Sequence, residues 1–76
     1  MDEFCDLEAF SKRLQGLRER TRPVRSRRVV SELCGLHTNA ISRYERGEAL
    51  PDADTLFKLA DYYGVSMDWL WTGKNF

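Results

Sequence analysis

Apolar side chains recur along this chain at intervals of three and four, and the rhythm breaks wherever glycine, proline or a short polar residue intervenes. Leu7, Phe10, Leu14 and Leu17 fall on one stripe of a helix, with Lys12, Arg13, Arg18 and Glu19 largely off it. The stripe predicts a first helix over about residues 6–20. Thr21-Arg22-Pro23 must end it, because proline drives the residue before it out of helical backbone angles and has no amide to donate. Ser26 suits the N-cap of a second helix, about 26–34, in which Val30, Leu33 and Cys34 share a face up to Gly35. Gly35 suits the left-handed reversal that stops a helix. Leu36, Ala40, Ile41 and Tyr44 then mark the inward stripe of a third, about 38–46, closed by Gly47. Leu50-Pro51-Asp52 restarts the chain, and Leu56, Leu59, Ala60 and Tyr63 give a fourth helix over about 52–63. Ser66 caps a fifth, about 66–72, whose Met67 and Leu70, with Val65 and Trp71, close the base of the core. Five helices and no strand define an all-α fold.

With 76 residues there is material for a single domain, 1–76, built on one apolar core near the lower size at which such a core suffices. Cys5 and Cys34 form no Cys-x-x-Cys pair, which favours reduced thiols and a cytoplasmic location over a disulfide framework. No apolar run approaches the roughly 18 residues of a membrane span. Met1-Asp2-Glu3-Phe4-Cys5-Asp6 is acidic where a signal peptide is basic, so no membrane is expected as a partner.

Charge changes this picture only through its distribution. Twelve basic and twelve acidic residues cancel, which by itself speaks against a phosphate-binding surface. Yet Lys12, Arg13, Arg18, Arg20, Arg22, Arg25, Arg27 and Arg28 crowd one stretch. The carboxylates gather at Asp2, Glu3, Asp6 and Glu8 and again at Asp52, Asp54, Asp61 and Asp68. Such polarity fits a nucleic-acid face, and it equally fits solvated helix surfaces.

A spacing decides more. Two short helices that cross closely need a small residue on the first, a sharp turn after it, and an apolar residue to lock the second. Ser31, Gly35 and Ile41 supply these three in order. Together with Leu36 and the run Ile41-Ser42-Arg43-Tyr44-Glu45-Arg46-Gly47, they resemble the lambda-repressor-like helix-turn-helix family, also known for Cro and xenobiotic-response-element regulators. The resemblance extends from about Phe10 to Gly73 and takes in the closing stretch Tyr63-Gly64-Val65-Ser66-Met67-Asp68-Trp69-Leu70.

The resemblance implies a compact five-helix domain whose second and third helices form the helix-turn-helix. It also implies a sequence-specific double-stranded DNA-binding regulator, of phage- or prophage-repressor type, reading an operator through the major groove with the third helix. The residues at the start of that helix and one turn on, Thr38, Asn39 and Arg43, are then the base readers. Asn39 can pair bidentately with adenine and Arg43 with guanine, each for about 1–3 kcal/mol of discrimination, and Thr38 can touch a thymine methyl or a phosphate. Arg27, His37, Ser42 and Arg46 are the candidate backbone contacts, with Arg27 at the first position of the second helix and a protonated His37 beside the groove. For each of these the alternative is an ordinary solvated side chain. Arg18 and Glu45 are expected, again by resemblance, to form a structural ion pair tying the first helix to the third.

Two departures stand out. The connector Thr21 to Arg25 is about two residues longer than is common in the family, so Arg22 and Arg25 either add phosphate contacts or form a solvated basic loop. Glu48-Ala49-Leu50 stands where relatives often carry Lys or Arg, which lowers the expected affinity for DNA. Met67, Trp69 and Trp71 crowd one short helix; they either cap the core or face a second copy, as relatives that dimerise through this region do. A homodimer would present two reading helices to half-sites about 34–36 Å apart on a pseudo-palindromic operator.

No metal, cofactor or small-molecule ligand is expected. Cys34, His37 and a distant Cys5 fall short of a four-ligand zinc site. No glycine-rich phosphate loop and no nucleophile with matching histidine and carboxylate is present, so the chain is not expected to be an enzyme. The competing function is a protein-interaction module, such as an antitoxin or a regulator partner, for which Glu48 and the zero net charge speak.

Overall fold

Among the described residues, three side chains accept from the first turn of the helix they precede, and those side chains set where the chain changes direction. The computed structural model describes residues 7–74. The expected start of the first helix at residue 6, the Cys5 thiol and the acidic N-terminal run lie outside the described residues. The helices are α1 (Leu7–Arg20), α2 (Arg27–Leu33), α3 (Ala40–Glu45), α4 (Ala53–Tyr63) and α5 (Met67–Thr72), with no strand among the described residues. Ser26 Oγ accepts from the Val29 amide at 3.2 Å, Asp52 Oδ1 from Thr55 at 2.9 Å and Ser66 Oγ from Trp69 at 3.0 Å. Gly35 takes φ 71° after α2, a left-handed angle that only glycine adopts without strain.

Phe10, Leu14, Val30, Ile41, Leu56, Leu59, Ala60 and Leu70 form the buried core, one or more from every helix. α3 packs on α1 and α2, and α5 packs on α1 and α4. Trp71 lies tilted against Phe10, ring centroids 5.7 Å apart at 59°, a geometry that aromatic pairs favour.

Two expectations need correction. α3 begins at Ala40, not at residue 38, so Thr38 and Asn39 belong to the turn and the Asn39 side chain makes no capping bond. The reason is local: after Gly35 the chain closes a tight turn in which the Ala40 amide reaches the His37 carbonyl at 2.9 Å, and helical pairing starts only beyond it. Leu33 is not on the inward face; it is 56% exposed. The inward arc of α2 is set by Val30, Ser31 and Cys34, and at about 100° per residue Leu33 lies roughly 110° from the centre of that arc.

Candidate nucleic-acid interface

A helix of six residues has no stability of its own, so the position of α3 must come from what holds it. Ile41, fully buried, anchors its inner face. Its amide donates to Ser31 Oγ at 3.1 Å, and the same hydroxyl donates to the Arg27 carbonyl at 2.9 Å. The Leu36 amide closes the turn onto the Ser31 carbonyl at 2.8 Å. At the far end Ser11 Oγ donates to the Tyr44 carbonyl at 2.7 Å. Two buried serines, one from α2 and one from α1, thus hold the two ends of α3. Ser11 carries a signal that the sequence reading passed over: it sits four residues after Leu7 and three before Leu14, a polar residue at a core position.

Glu45, whose side chain is 2% exposed, adds an electrostatic tie. Arg18 donates to it from Nε at 2.8 Å and from Nη2 at 3.1 Å, and Arg27 donates from Nε at 2.9 Å. Arg18 also reaches the Arg25 carbonyl at 3.3 Å. The hydrogen bond to Glu45 raises the Arg18 guanidinium pKa above its ordinary value despite burial. One carboxylate is therefore shared by two guanidinium groups, and Arg27, nominated for phosphate, spends its Nε on Glu45 while its side chain stays 46% exposed.

The outward side of the same region has a different character. Thr38, Asn39 and Arg43 are exposed and Ser42 is half-buried. Among the described residues, the side chains of Thr38, Asn39, Ser42 and Arg43 make no hydrogen bond or ion pair. The flanking groups are engaged. Arg46 pairs with Glu48 through Nε at 2.8 Å and Nη2 at 3.4 Å, Arg22 donates to the Glu19 carbonyl at 2.6 Å, and Arg25 donates to the Tyr62 hydroxyl at 2.8 Å. His37 Nδ1 accepts from the Asn39 amide at 3.2 Å. A ring that keeps this bond offers only Nε2–H to a phosphate. Arg46 holds the Glu48 carboxyl below the usual carboxylate range through that direct hydrogen bond, so Glu48 is charged at neutral pH.

Met67, Trp69 and Trp71 are each half-buried and packed against the core. Among the described residues, the large apolar side chains left most exposed lie elsewhere: Val24, Val29, Leu33, Leu50 and Phe57. Leu33 and Phe57 line one shallow groove between α2 and α4 together with Cys34, Lys58, Asp61 and Tyr62. No group of three or more His, Cys, Asp or Glu is assembled among the described residues, and none of their helices is long and apolar enough to cross a membrane.

Comparison with known proteins agrees with this geometry. A helix-turn-helix family model matches residues 25–70, which runs from just before α2 into α5. The chain is 36% identical over 67 residues to the HTH-type transcriptional regulator ImmR of Bacillus subtilis, an alignment covering 88% of this chain and 50% of that protein. It is 45% identical over 40 residues to an uncharacterized HTH-type transcriptional regulator of Haemophilus influenzae, covering 53% of this chain and 17% of that protein. The chain thus spans half or less of the length of these relatives. A matched segment that contains the Ser31–Ile41 junction, the turn at Gly35 and the shared Glu45, within an all-helical domain, places this chain in the lambda-repressor-like helix-turn-helix family of transcriptional regulators.

Proposed function

We propose that this domain binds double-stranded DNA as the reading part of a transcriptional repressor of phage or prophage type, with α3 in the major groove. One observation carries the reading. α3 is pinned at both ends on its buried side, while the exposed side chains of Thr38, Asn39 and Arg43 at its tip and outer face are uncommitted. Rigid support with unsatisfied polar groups facing outward is what direct base readout requires. Arg43 reaches guanine, Asn39 adenine, and Thr38 a thymine methyl or phosphate. Arg27, His37, Ser42 and Arg46 grip the DNA backbone around them, and Arg22 and Arg25 extend the grip along the α1–α2 connector. The relatives named as transcriptional regulators support the regulatory half of the reading. The domain works in the cytoplasm, without catalytic chemistry, as a homodimer joined through Met67, Trp69 and Trp71 on a pseudo-palindromic operator.

The test is selection of bound sequences from random duplex DNA at moderate salt, beside an Arg43→Ala variant. The expected result is a palindromic motif from which the variant loses one specified base pair. A wild-type chain that enriches nothing over background would remove the reading.

A second reading is a module that docks another protein through the groove holding Leu33 and Phe57, each 56% exposed. Salt separates the two: release of counterions makes DNA binding fall steeply as salt rises, and apolar docking does not.

A further inference from the structure

Arg46 and Glu48 form an ion pair on the outer end of α3, two residues apart in sequence and both exposed. The contact is bidentate, with Nε–Oε2 at 2.8 Å and Nη2–Oε1 at 3.4 Å. The Glu48 amide donates to the Arg43 carbonyl at 2.9 Å, so the carboxylate is tethered over the last turn of α3, and its charge also feels Arg43. Here a negative group sits on the surface whose task is to meet negative phosphates. The pair is of the kind a guanidinium offers to phosphate, so Glu48 occupies one edge of Arg46, the Nε–Nη2 edge, that a phosphate can take.

Resting on the DNA-binding reading, we infer that Glu48 is an intramolecular competitor for DNA phosphate at Arg46 and sets the affinity of the domain downward without altering which bases it reads. For Arg46 to turn its Nε–Nη2 edge to a DNA phosphate, its bond to Glu48 must break, and the freed carboxylate then remains beside the phosphates. Both consequences act on the backbone contact, which carries no sequence information, and leave Arg43 and the tip of α3 to choose bases. Because the pair is exposed, the exchange is fast and its cost moderate, so Glu48 restrains binding and does not block it.

The test compares the wild-type chain, Glu48→Gln, Arg46→Gln and the double variant on the selected operator and on a duplex of arbitrary sequence. Binding is followed between about 50 and 200 mM salt, where one phosphate contact is worth about a three- to four-fold change in affinity. Glu48→Gln is expected to tighten binding to both duplexes by about three- to ten-fold and to steepen the slope of log affinity on log salt by about 0.9, with the preferred motif unchanged. In the Arg46→Gln background the same substitution is expected to gain less than in the wild type, because the group it competes for is gone and only the repulsion between carboxylate and phosphate is left to relieve. An unchanged affinity and slope, an undiminished gain without Arg46, or a changed base preference each overturns the inference while leaving DNA binding in place. If neither the wild type nor Glu48→Gln binds any duplex at the lowest salt, the DNA-binding reading fails first and the inference falls with it.

Discussion

The hydroxyl of Ser31, fully buried on α2, accepts a hydrogen bond from the backbone amide of Ile41 at 3.1 Å and so fixes where α3 begins. A small residue at this crossing is required for close approach, and serine does more than fit: it satisfies an amide in the first turn of α3 that no helical carbonyl can reach.

Ser31→Ala keeps the size and removes that acceptor. The Ile41 amide is then buried without a partner, and the expected loss is about 1–3 kcal/mol of stability. In a domain of this size each kcal/mol lowers the melting temperature by about 4–8 °C, readable by circular dichroism. A melting temperature within a degree or so of wild type would show that water replaces the hydroxyl.

Glu45 serves two arginines, and removing it strands Arg18, which is 8% exposed. Glu45→Leu is expected to cost about 3–5 kcal/mol, a large share of the total stability of a small domain. Arg27→Met is expected to cost much less, because that side chain is 46% exposed and Glu45 retains its bidentate bond to Arg18. Urea denaturation of the two variants side by side gives the comparison, and equal losses would contradict the assignment of Arg18 as the principal partner.

Arg13 donates from Nε to the Leu70 carbonyl at 3.0 Å and from Nη2 to the Trp71 carbonyl at 2.8 Å, a cationic cap on the last turn of α5. Arg13→Met preserves the aliphatic stem and deletes both bonds. The expected loss is about 1–3 kcal/mol, with tryptophan emission shifting to the red as Trp69 and Trp71 gain water. Unchanged emission together with unchanged stability would make the cap irrelevant to α5. A retained fold with weakened self-association would fit the proposed role of this helix in dimerisation.

Asp52 caps α4, and its hydrogen bonds with Thr55 lower its pKa from the ordinary value of 3.8. A depressed carboxyl contributes stability that is present above the unfolded pKa and is lost as pH falls through the folded one. Asp52→Ala is therefore expected to lower the melting temperature near neutral pH, with the gap from wild type closing as pH falls below about 4. A gap that stays constant into that acid range would exclude the ionised cap.

Much of the fold was legible because its signals are local. Ser26, Asp52 and Ser66 announce helix starts within three residues, and the stripes Leu7-Phe10-Leu14-Leu17 and Leu56-Leu59-Ala60-Tyr63 need only helical periodicity. Leu33 was misread for the same reason. In a helix as short as α2 the spacing from Val30 is compatible with either face, and only the position of α3 shows which one is covered. The candidate interface was legible in its residue types and less so in their state. Arg27, Arg46, Arg22 and Arg25 are all engaged within the chain, and the side chains of Thr38, Asn39 and Arg43 are not.

By itself, then, the sequence determined five helices, their order and the turn that sets α3 after α2, since each depends on residues a few positions apart. Tertiary structure alone decided that Glu45 is shared between Arg18 and Arg27, that Ser11 holds the end of α3 and that Arg13 closes α5 across 57 positions of chain. These are contacts among polar groups far apart in sequence. Their partners are chosen only after the apolar core has brought the helices together, because a long charged side chain has many possible partners until packing leaves it few.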